Sequence, residues 1–140
     1  MTIKEVEEKT GLTRSNIRFY ENENLIKPLR NERNGYREYS DENVEDIKKI
    51  AYLRTLGITI DDIRNIILQK VSLVEVVEKQ EKVLETKISD LENAKTMCNK
   101  MLESDELSYL NLKVEQYITE LPEYWNKNKP VFKIGRAHVW

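Results

Sequence analysis

Two kinds of apolar pattern divide the chain. Up to about residue 70, apolar positions come in short groups, each preceded by Ser or Thr, and the first three are followed by Gly, Asn or Pro. Ser and Thr cap the first free N–H groups of a helix, and Gly or Asn adopts the left-handed conformation that ends one. From Ser72 to Glu103 there is neither Gly nor Pro, and apolar residues recur at steps of three and four. The pattern predicts several short helices followed by one long helix.

The first apolar group predicts a short capped helix. Thr2 is its N-cap, and Glu5 three residues later completes a capping box. Ile3 and Val6 form its apolar stripe, and Gly11 ends it.

A second helix is predicted directly after the Gly-containing turn. Thr13 is its N-cap, Ile17 and Phe19 are predicted to face inward, and Asn24 and Pro28 mark its end. Two short helices joined in this way form a helix-turn-helix. The exposed side chains near the start of the second helix suit the major groove, where Arg recognises guanine and Asn recognises adenine. These side chains are Arg14, Ser15, Asn16 and Arg18.

Residues 31–39 are too polar for a core helix and predict a small β-hairpin, named the wing here. Asn34-Gly35 is a strong hairpin signal, because both residue types accept positive φ. Arg side chains form charge-assisted contacts with phosphate, and Tyr hydroxyls add neutral donors. The flanking residues of these types are Arg33, Arg37, Tyr36 and Tyr39.

The charge of this region differs from that of the whole chain. A formal net charge of −2 argues against a nucleic-acid partner when it is taken alone. Residues 13–37, however, hold six Lys or Arg against three Glu, so the basic face is concentrated at the predicted helix-turn-helix and wing. The basic residues are Arg14, Arg18, Lys27, Arg30, Arg33 and Arg37.

Two further helices are predicted to support the wing and the helix-turn-helix. Ser40 caps the first and Gly57 closes it, whereas Thr59 caps the second with Asp62 as a partner resembling that of a capping box. Their predicted buried positions are Val44, Ile47, Ala51 and Leu53 on the first, and Ile60, Ile63, Ile66 and Ile67 on the second.

The run IRFYENENLIKPLRNERNGYREYS, residues 17–40, resembles the DNA-binding domain of the mercury-resistance regulator (MerR) family of bacterial transcription factors. The resemblance covers residues 1–70 and rests on the motifs Arg-aromatic-Tyr-Glu, Leu-Ile-x-Pro and Gly-Tyr-Arg-x-Tyr. Family members usually carry Gly where this chain has Asn24, and Asn also accepts the left-handed conformation.

The resemblance implies a homodimer on double-stranded promoter DNA that acts on RNA polymerase at the promoter, with a small-molecule effector of unknown identity. In the family, the dimer sits between two promoter elements that are spaced too far apart, and the effector makes it bend and untwist the duplex. The expected DNA contacts are Thr13, Arg14, Ser15, Asn16, Arg18, Tyr20, Arg33, Asn34, Gly35, Tyr36, Arg37 and Tyr39.

The long helix is predicted to form a coiled coil between two chains. Its apolar positions fit a heptad seam, and the resemblance implies that the two helices run antiparallel. Glu81 and Lys95 lie symmetrically about Ile88, so antiparallel pairing brings opposite charges together, whereas parallel pairing stacks like charges. The alternative is a long helix packed on its own domain. The predicted dimer interface is Val74, Val77, Glu81, Leu84, Ile88, Leu91, Lys95, Cys98 and Leu102.

After Glu103 the pattern is less regular. Apolar residues between 107 and 118 predict another short helix, stopped by Pro122. Tyr124 and Trp125 either line an effector pocket or pack as a tail on the coiled coil, and the second reading is favoured because no charged group converges on them. Residues 134–140 match an in-frame translation of a sequencing-library adapter, so we expect a tail foreign to the natural chain there.

Several classes of function are not expected. A metal sensor needs two or more soft ligands and an iron–sulfur sensor needs a Cys cluster, but the chain has one Cys, Cys98. No nucleophile, paired carboxylates or Gly-rich phosphate loop can be assembled, so neither an enzyme nor a bound cofactor is expected. No apolar run has transmembrane length and no signal peptide is visible, which predicts a soluble cytoplasmic protein.

The sequence therefore predicts an all-α fold with a small β wing. Its expected parts are a winged helix-turn-helix domain (1–70), a coiled-coil dimerisation helix (71–103), a short helical segment (104–133) and the foreign tail (134–140). The predicted function is regulation of transcription initiation by DNA distortion. The alternatives are a DNA-architectural factor of the excisionase kind, which lacks such a dimer helix, and a coiled-coil adaptor.

Overall fold

The computed structural model describes residues 1–118 of the chain, and these are almost entirely helical. The elements are α1 (Ile3–Thr10), α2 (Arg14–Asn22), β1 (Leu29–Arg30), β2 (Arg37–Glu38), α3 (Asp41–Thr55), α4 (Ile60–Ile67), α5 (Leu73–Leu102) and a 3-10 helix (Val114–Gln116). Two units can be separated along the chain, Met1–Gln80 and the residues from Glu81 onward.

The predicted capping residues begin the four short helices. Thr2 and Glu5 form the capping box of α1, and the Thr13 hydroxyl accepts the Asn16 N–H at the start of α2. Ser40 and Thr59 cap α3 and α4 in the same way. Each cap satisfies an N–H group that has no partner within its helix, which fixes where the helix begins.

Residues with positive φ end the helices, as predicted. Gly11 follows α1 with φ of 75°, and Asn24 lies just beyond α2 with φ of 61°. The Asn that replaces the usual Gly therefore adopts the left-handed conformation. Gly57 closes α3 with φ of 87°.

One apolar core holds the first unit together. Val6 of α1, Ile17 of α2, Ile47 of α3 and Ile63 of α4 are all fully buried, so each of the four helices contributes to it. Ile50 and Val76 also belong to this core, although the sequence pattern did not single them out.

Two of the predicted inward positions are wrong. Phe19 is 45% exposed and Tyr20 takes its place in the core, because Ile17 and Phe19 differ by about 200° around a helix and cannot share a face. Ile67 is also exposed, since it is the last residue of α4 and Ile63 and Ile66 already fill the inward face.

The wing is a two-stranded antiparallel hairpin in which Leu29 pairs with Glu38 and Arg30 with Arg37. Its loop is wider than the predicted two-residue turn. Gly35 has φ of 72°, but Asn34 is not among the residues with positive φ. The Gly35 N–H donates to the Asn31 carbonyl at 2.7 Å, so the loop turns over residues 31–36.

The start of α5 belongs to the first unit. Val76 is buried in the core, and Gln80 donates its side-chain N–H to the Leu56 carbonyl at 2.8 Å. The predicted seam positions Val74 and Val77 lie on either side of Val76 and remain exposed. One buried valine and one hydrogen bond therefore anchor the first turns of α5 to the first unit.

In the second unit, α5 continues to Leu102 and is followed by turns. The helix predicted between residues 107 and 118 is wrong for the described part, because that stretch contains only the 3-10 helix Val114–Gln116. Tyr124, Trp125 and residues 134–140 lie outside the described residues. No helix within residues 1–118 is long and apolar enough to cross a membrane.

Candidate nucleic-acid interface

The start of α2 presents its predicted contact residues to solvent. Thr13, Arg14, Ser15, Asn16 and Arg18 are all exposed. The Thr13 hydroxyl is held by the Asn16 N–H at 3.2 Å, which leaves the amide side chain of Asn16 outside the cap. The first turns of α2 therefore form an accessible polar face of the kind that enters a major groove.

Arg14 and Arg18 differ in how they are held. Arg14 forms an ion pair with Glu7 of α1 at 3.2 Å, and the same carboxylate accepts the Arg14 backbone N–H at 3.1 Å. Glu7 thus links the two helices of the helix-turn-helix and holds Arg14 in the unbound protein. Arg18, one turn later, has no ion pair or side-chain hydrogen bond within residues 1–118.

The wing loop is ordered by its own side chains. Asn31 accepts the Arg33 N–H at 2.8 Å, and Asn34 accepts the Tyr36 N–H at 2.9 Å. These contacts fix the backbone through Gly35 and leave the side chains of Arg33 and Tyr36 exposed. Two donor-bearing side chains therefore project from the tip of a defined loop.

Arg37, Glu21 and Tyr39 form a cluster between α2 and the wing. The Arg37 Nε group lies 2.7 Å from Glu21 Oε1 and 2.8 Å from Glu21 Oε2, and the Tyr39 hydroxyl donates to Oε1 at 3.4 Å. This hydrogen bond to Glu21 raises the pKa of Arg37 above its ordinary value. Burial, together with the negative charge of Glu21, raises the pKa of Tyr39.

The two tyrosines nearest this cluster are buried. Tyr20 is 7% exposed and Tyr39 is 2% exposed, so their rings belong to the core rather than to the surface. Contact of Tyr20 and Tyr39 with DNA stays a prediction, and it could involve only their hydroxyl groups. The Tyr39 hydroxyl already donates a hydrogen bond to Glu21. The side chain of Tyr36, in contrast, is 74% exposed.

A second ion pair joins the end of α2 to α4. Arg64 donates from Nη2 to the Glu23 carboxylate at 2.8 Å and to the Glu23 carbonyl at 3.0 Å. Its Nη1 group pairs with Asp61 at 2.8 Å. Because a carbonyl at a helix end has no partner within the helix, Arg64 both closes α2 and fixes its direction.

Sequence reasoning counted Glu21 and Arg30 only as charges and missed what each of them contacts. Glu21 was counted only as an opposing charge, although its place one turn after Ile17 puts it beside the buried face of α2. Arg30 donates to the Gly35 carbonyl at 3.1 Å and so braces the wing loop. Arg30 lies opposite Arg37 in the β1–β2 register, which the sequence alone did not define.

The predicted dimer face runs along α5 as a separate surface. Its polar members Glu81 and Lys95 and its sulfur-bearing member Cys98 are exposed. Within residues 1–118 there is no group of three His, Cys, Asp or Glu side chains that could hold a metal ion. The exposed apolar members are Val74, Val77, Leu84, Ile88, Leu91 and Leu102.

Comparison with known proteins identifies the family. The sequence profile described as MerR HTH family regulatory protein matches residues 1–70, which contain α1 to α4 and the wing. The chain belongs to the MerR HTH family. The predicted family and the predicted winged helix-turn-helix are therefore confirmed.

Relatives of this MerR family member include curated regulators from several bacteria. HTH-type transcriptional regulator CueR of Yersinia pestis is 39% identical over 67 residues, which cover 48% of each chain. CueR of Vibrio cholerae is 37% identical over 62 residues, which cover 44% of this chain and 45% of the relative. The match thus spans about half the length of these relatives.

Solved structures show the same fold over most of the chain. The transcription regulator PbrR691 from Ralstonia metallidurans, in complex with lead(II), matches with a TM-score of 0.67 at 20% identity, covering 83% of this chain and 97% of that one. A MerR family regulator from Bacillus cereus matches with a TM-score of 0.62 at 23% identity, covering 84% and 90%. At these identities the likeness establishes the fold alone.

Proposed function

We propose that this MerR family member is a transcriptional regulator that binds promoter DNA through α2 and the wing. The observation that carries the proposal is the exposed basic surface that the two elements share. Arg14 and Arg18 are exposed on α2 and Arg33 is exposed in the wing loop, and the ion pair between Arg37 and Glu21 joins the two elements. Cations on two adjacent elements can contact a groove and the neighbouring phosphates together. The curated relatives are themselves described as HTH-type transcriptional regulators.

We infer that the regulator acts as a homodimer through α5. The six apolar seam residues remain exposed on the single chain although they recur at heptad spacing, which is the pattern of a helix that pairs with another. Glu81 and Lys95 each lie seven residues from Ile88, so an antiparallel pair places them opposite each other. Antiparallel pairing therefore supplies two ion pairs, one on either side of a central Ile88 contact.

An apolar groove in the first unit shares Val77 with this seam. It has a volume of about 470 Å³ and lies between α3, α4 and the start of α5. Leu73 and Val77 belong to its lining together with Leu53 and Ile66. Because Val77 is also a seam residue, the same partner chain that covers the seam would cover part of the groove. Burial of both surfaces together favours a stable dimer.

The proposed mechanism is distortion of promoter DNA by this dimer. Two recognition helices related by a two-fold axis require an operator that is an inverted repeat. Bending and untwisting the duplex costs on the order of 1–10 kcal/mol, which several phosphate contacts must offset. We expect Arg33, Tyr36 and Arg37 of each wing to supply these contacts. In this mechanism the distortion brings two widely spaced promoter elements into phase for RNA polymerase.

The effector in this proposal is a small molecule of unknown identity. The PbrR691 structure contains lead(II), but at 20% identity its likeness to this chain establishes the fold alone. The sequence has a single Cys, Cys98, at a seam position on α5, so no pair of thiolates is proposed here as a metal site.

The test is selection of DNA by the purified protein from a random pool, followed by chemical probing of the selected duplex. We expect an inverted repeat, with hyperreactive bases at its centre in the activated complex. Arg18→Ala should weaken binding by about 1–3 kcal/mol and relax the preference at one position in each half-site. Lys82→Ala removes a cation from the exposed surface of α5 and serves as the matched control. Failure to select any duplex, or equal affinity of Arg18→Ala and the parent, would contradict the proposal.

A further inference from the structure

The Arg37 guanidinium is held on one edge only. Its Nε group lies within 2.8 Å of both Glu21 carboxylate oxygens, whereas its two Nη groups make no hydrogen bond within residues 1–118. The side chain retains 28% exposure, and that of Glu21 retains 19%. A guanidinium bound at Nε keeps its Nη groups available as a fork for another anion.

The carboxylate that holds Arg37 is itself fixed. Glu21 lies in the last turn of α2, whose core residues Ile17 and Tyr20 are buried. The Tyr39 hydroxyl also donates to its Oε1 atom, at 3.4 Å. Glu21 therefore cannot swing away from Arg37 without losing a contact with a buried ring.

We infer that Glu21 is a positioning residue for DNA binding: it aims the Nη groups of Arg37 at a backbone phosphate and locks the wing to the recognition helix. The inference rests on the proposed DNA binding and adds to it a role for an acidic residue. Glu21 itself touches no phosphate, since a carboxylate beside DNA is repelled by it.

The direction in which removal of the Glu21 charge changes DNA affinity distinguishes a positioning role from a purely electrostatic one. Removing a negative charge near DNA strengthens binding when the charge acts only through the overall field. Removing a charge that orients Arg37 weakens binding instead, because the phosphate contact is lost. Glu32 in the wing loop is exposed and supplies the matched control, since Glu32→Gln removes the same charge from the hairpin that carries Arg37.

The experiment measures fluorescence anisotropy of a labelled duplex that the parent protein has selected from a random pool, over a range of salt concentrations. We expect Glu21→Gln to bind about tenfold more weakly, the scale of one charge-assisted hydrogen bond, and its salt dependence to be less steep by about one unit. Glu32→Gln should bind as tightly as the parent or more tightly. In an Arg37→Gln background, Glu21→Gln should cause no further loss.

A second variant tests the fork without altering Glu21. Arg37→Lys keeps the positive charge and the ion pair but removes the Nη groups, so it should also bind about tenfold more weakly. Circular dichroism at each salt concentration reports whether the variants are folded.

The outcomes are distinguishable. If the parent binds its selected duplex and both Glu21→Gln and Arg37→Lys bind equally well, the positioning role is overturned while the proposed function stands. Equal losses from Glu21→Gln with and without Arg37 would also overturn it, because the effect would then be structural. If the parent selects no duplex, the proposed function fails and the inference fails with it.

Discussion

Replacement of Ile88 by Asp is expected to separate the proposed dimer. Ile88 is 54% exposed on the single chain, and antiparallel pairing brings it against its own copy. Full burial of such a side chain is worth about 1.5–3 kcal/mol, so the exposed halves of two copies contribute about 1.5–3 kcal/mol together. Two carboxylates in the same place add a desolvation cost of several kcal/mol and repel each other. A total of at least about 4 kcal/mol weakens dimerisation by about a thousandfold.

Sedimentation equilibrium at micromolar protein concentration is the measurement. Thr86→Asp introduces the same charge on the opposite side of α5, two residues from Ile88, and should leave the dimer unchanged. The orientation of the helices has its own pair of variants: Glu81→Lys should weaken the dimer, and Lys95→Glu in the same chain should restore it. A dimer that survives Ile88→Asp would show that the seam faces elsewhere, and restoration that fails would argue against antiparallel pairing.

Three further predictions concern the first unit. Arg64→Ala should lower the free energy of unfolding, measured in urea, by about 1–2 kcal/mol, because the Glu23 carbonyl and carboxylate lose their donor. The control Lys48→Ala, which breaks an exposed ion pair, should change this free energy by less than about 0.5 kcal/mol. Gly57→Ala should lower the free energy of unfolding by about 1–3 kcal/mol, because φ is +87° and the new Cβ would lie 2.7 Å from Gln80 Nε2. In a Gln80→Ala background, the same substitution should cost only the backbone strain. The folded-state pKa of Tyr39 is raised above its ordinary value of 10.0, so the stabilising contribution of its hydroxyl is fully present below pH 10 and is lost as the pH rises through the folded pKa. The difference in unfolding free energy between the parent and Tyr39→Phe should therefore be constant below about pH 10 and fall above it, and an unchanged difference up to complete unfolding would contradict this assignment.

The helix boundaries of the first unit could be predicted because they depend on local chemistry. A hydroxyl at Thr2, Thr13, Ser40 or Thr59 satisfies an N–H group three residues away, and no distant part of the chain alters that geometry. The left-handed residues Gly11 and Asn24 are equally local. The motif that indicated the family lies between these caps, so the same stretch predicted both the fold and the surface.

Positions whose environment depends on several elements were predicted less well. Phe19 and Tyr20 are adjacent aromatic residues, and the phase of α2 relative to the core decides which of them is buried. Val76 lies between the seam residues Val74 and Val77 in the sequence, and only the packing of α5 on the first unit shows that it is buried. Glu21 becomes meaningful only when the wing folds back and brings Arg37 to it from 16 residues away.

The polar contacts that hold α2, the wing and the start of α5 together limit how the proposed dimer could distort DNA. Glu21 fixes the wing to α2, and Arg64 fixes the end of α2 to α4. Gln80 then fixes the start of α5 to the Leu56 carbonyl at the end of α3. Helix α2, the wing and the first turns of α5 are therefore linked within the first unit by an apolar core and three polar contacts. In the proposed mechanism, a change in the DNA must come from a shift of one such linked set against its partner along the seam, and not from a wing that moves relative to its own recognition helix.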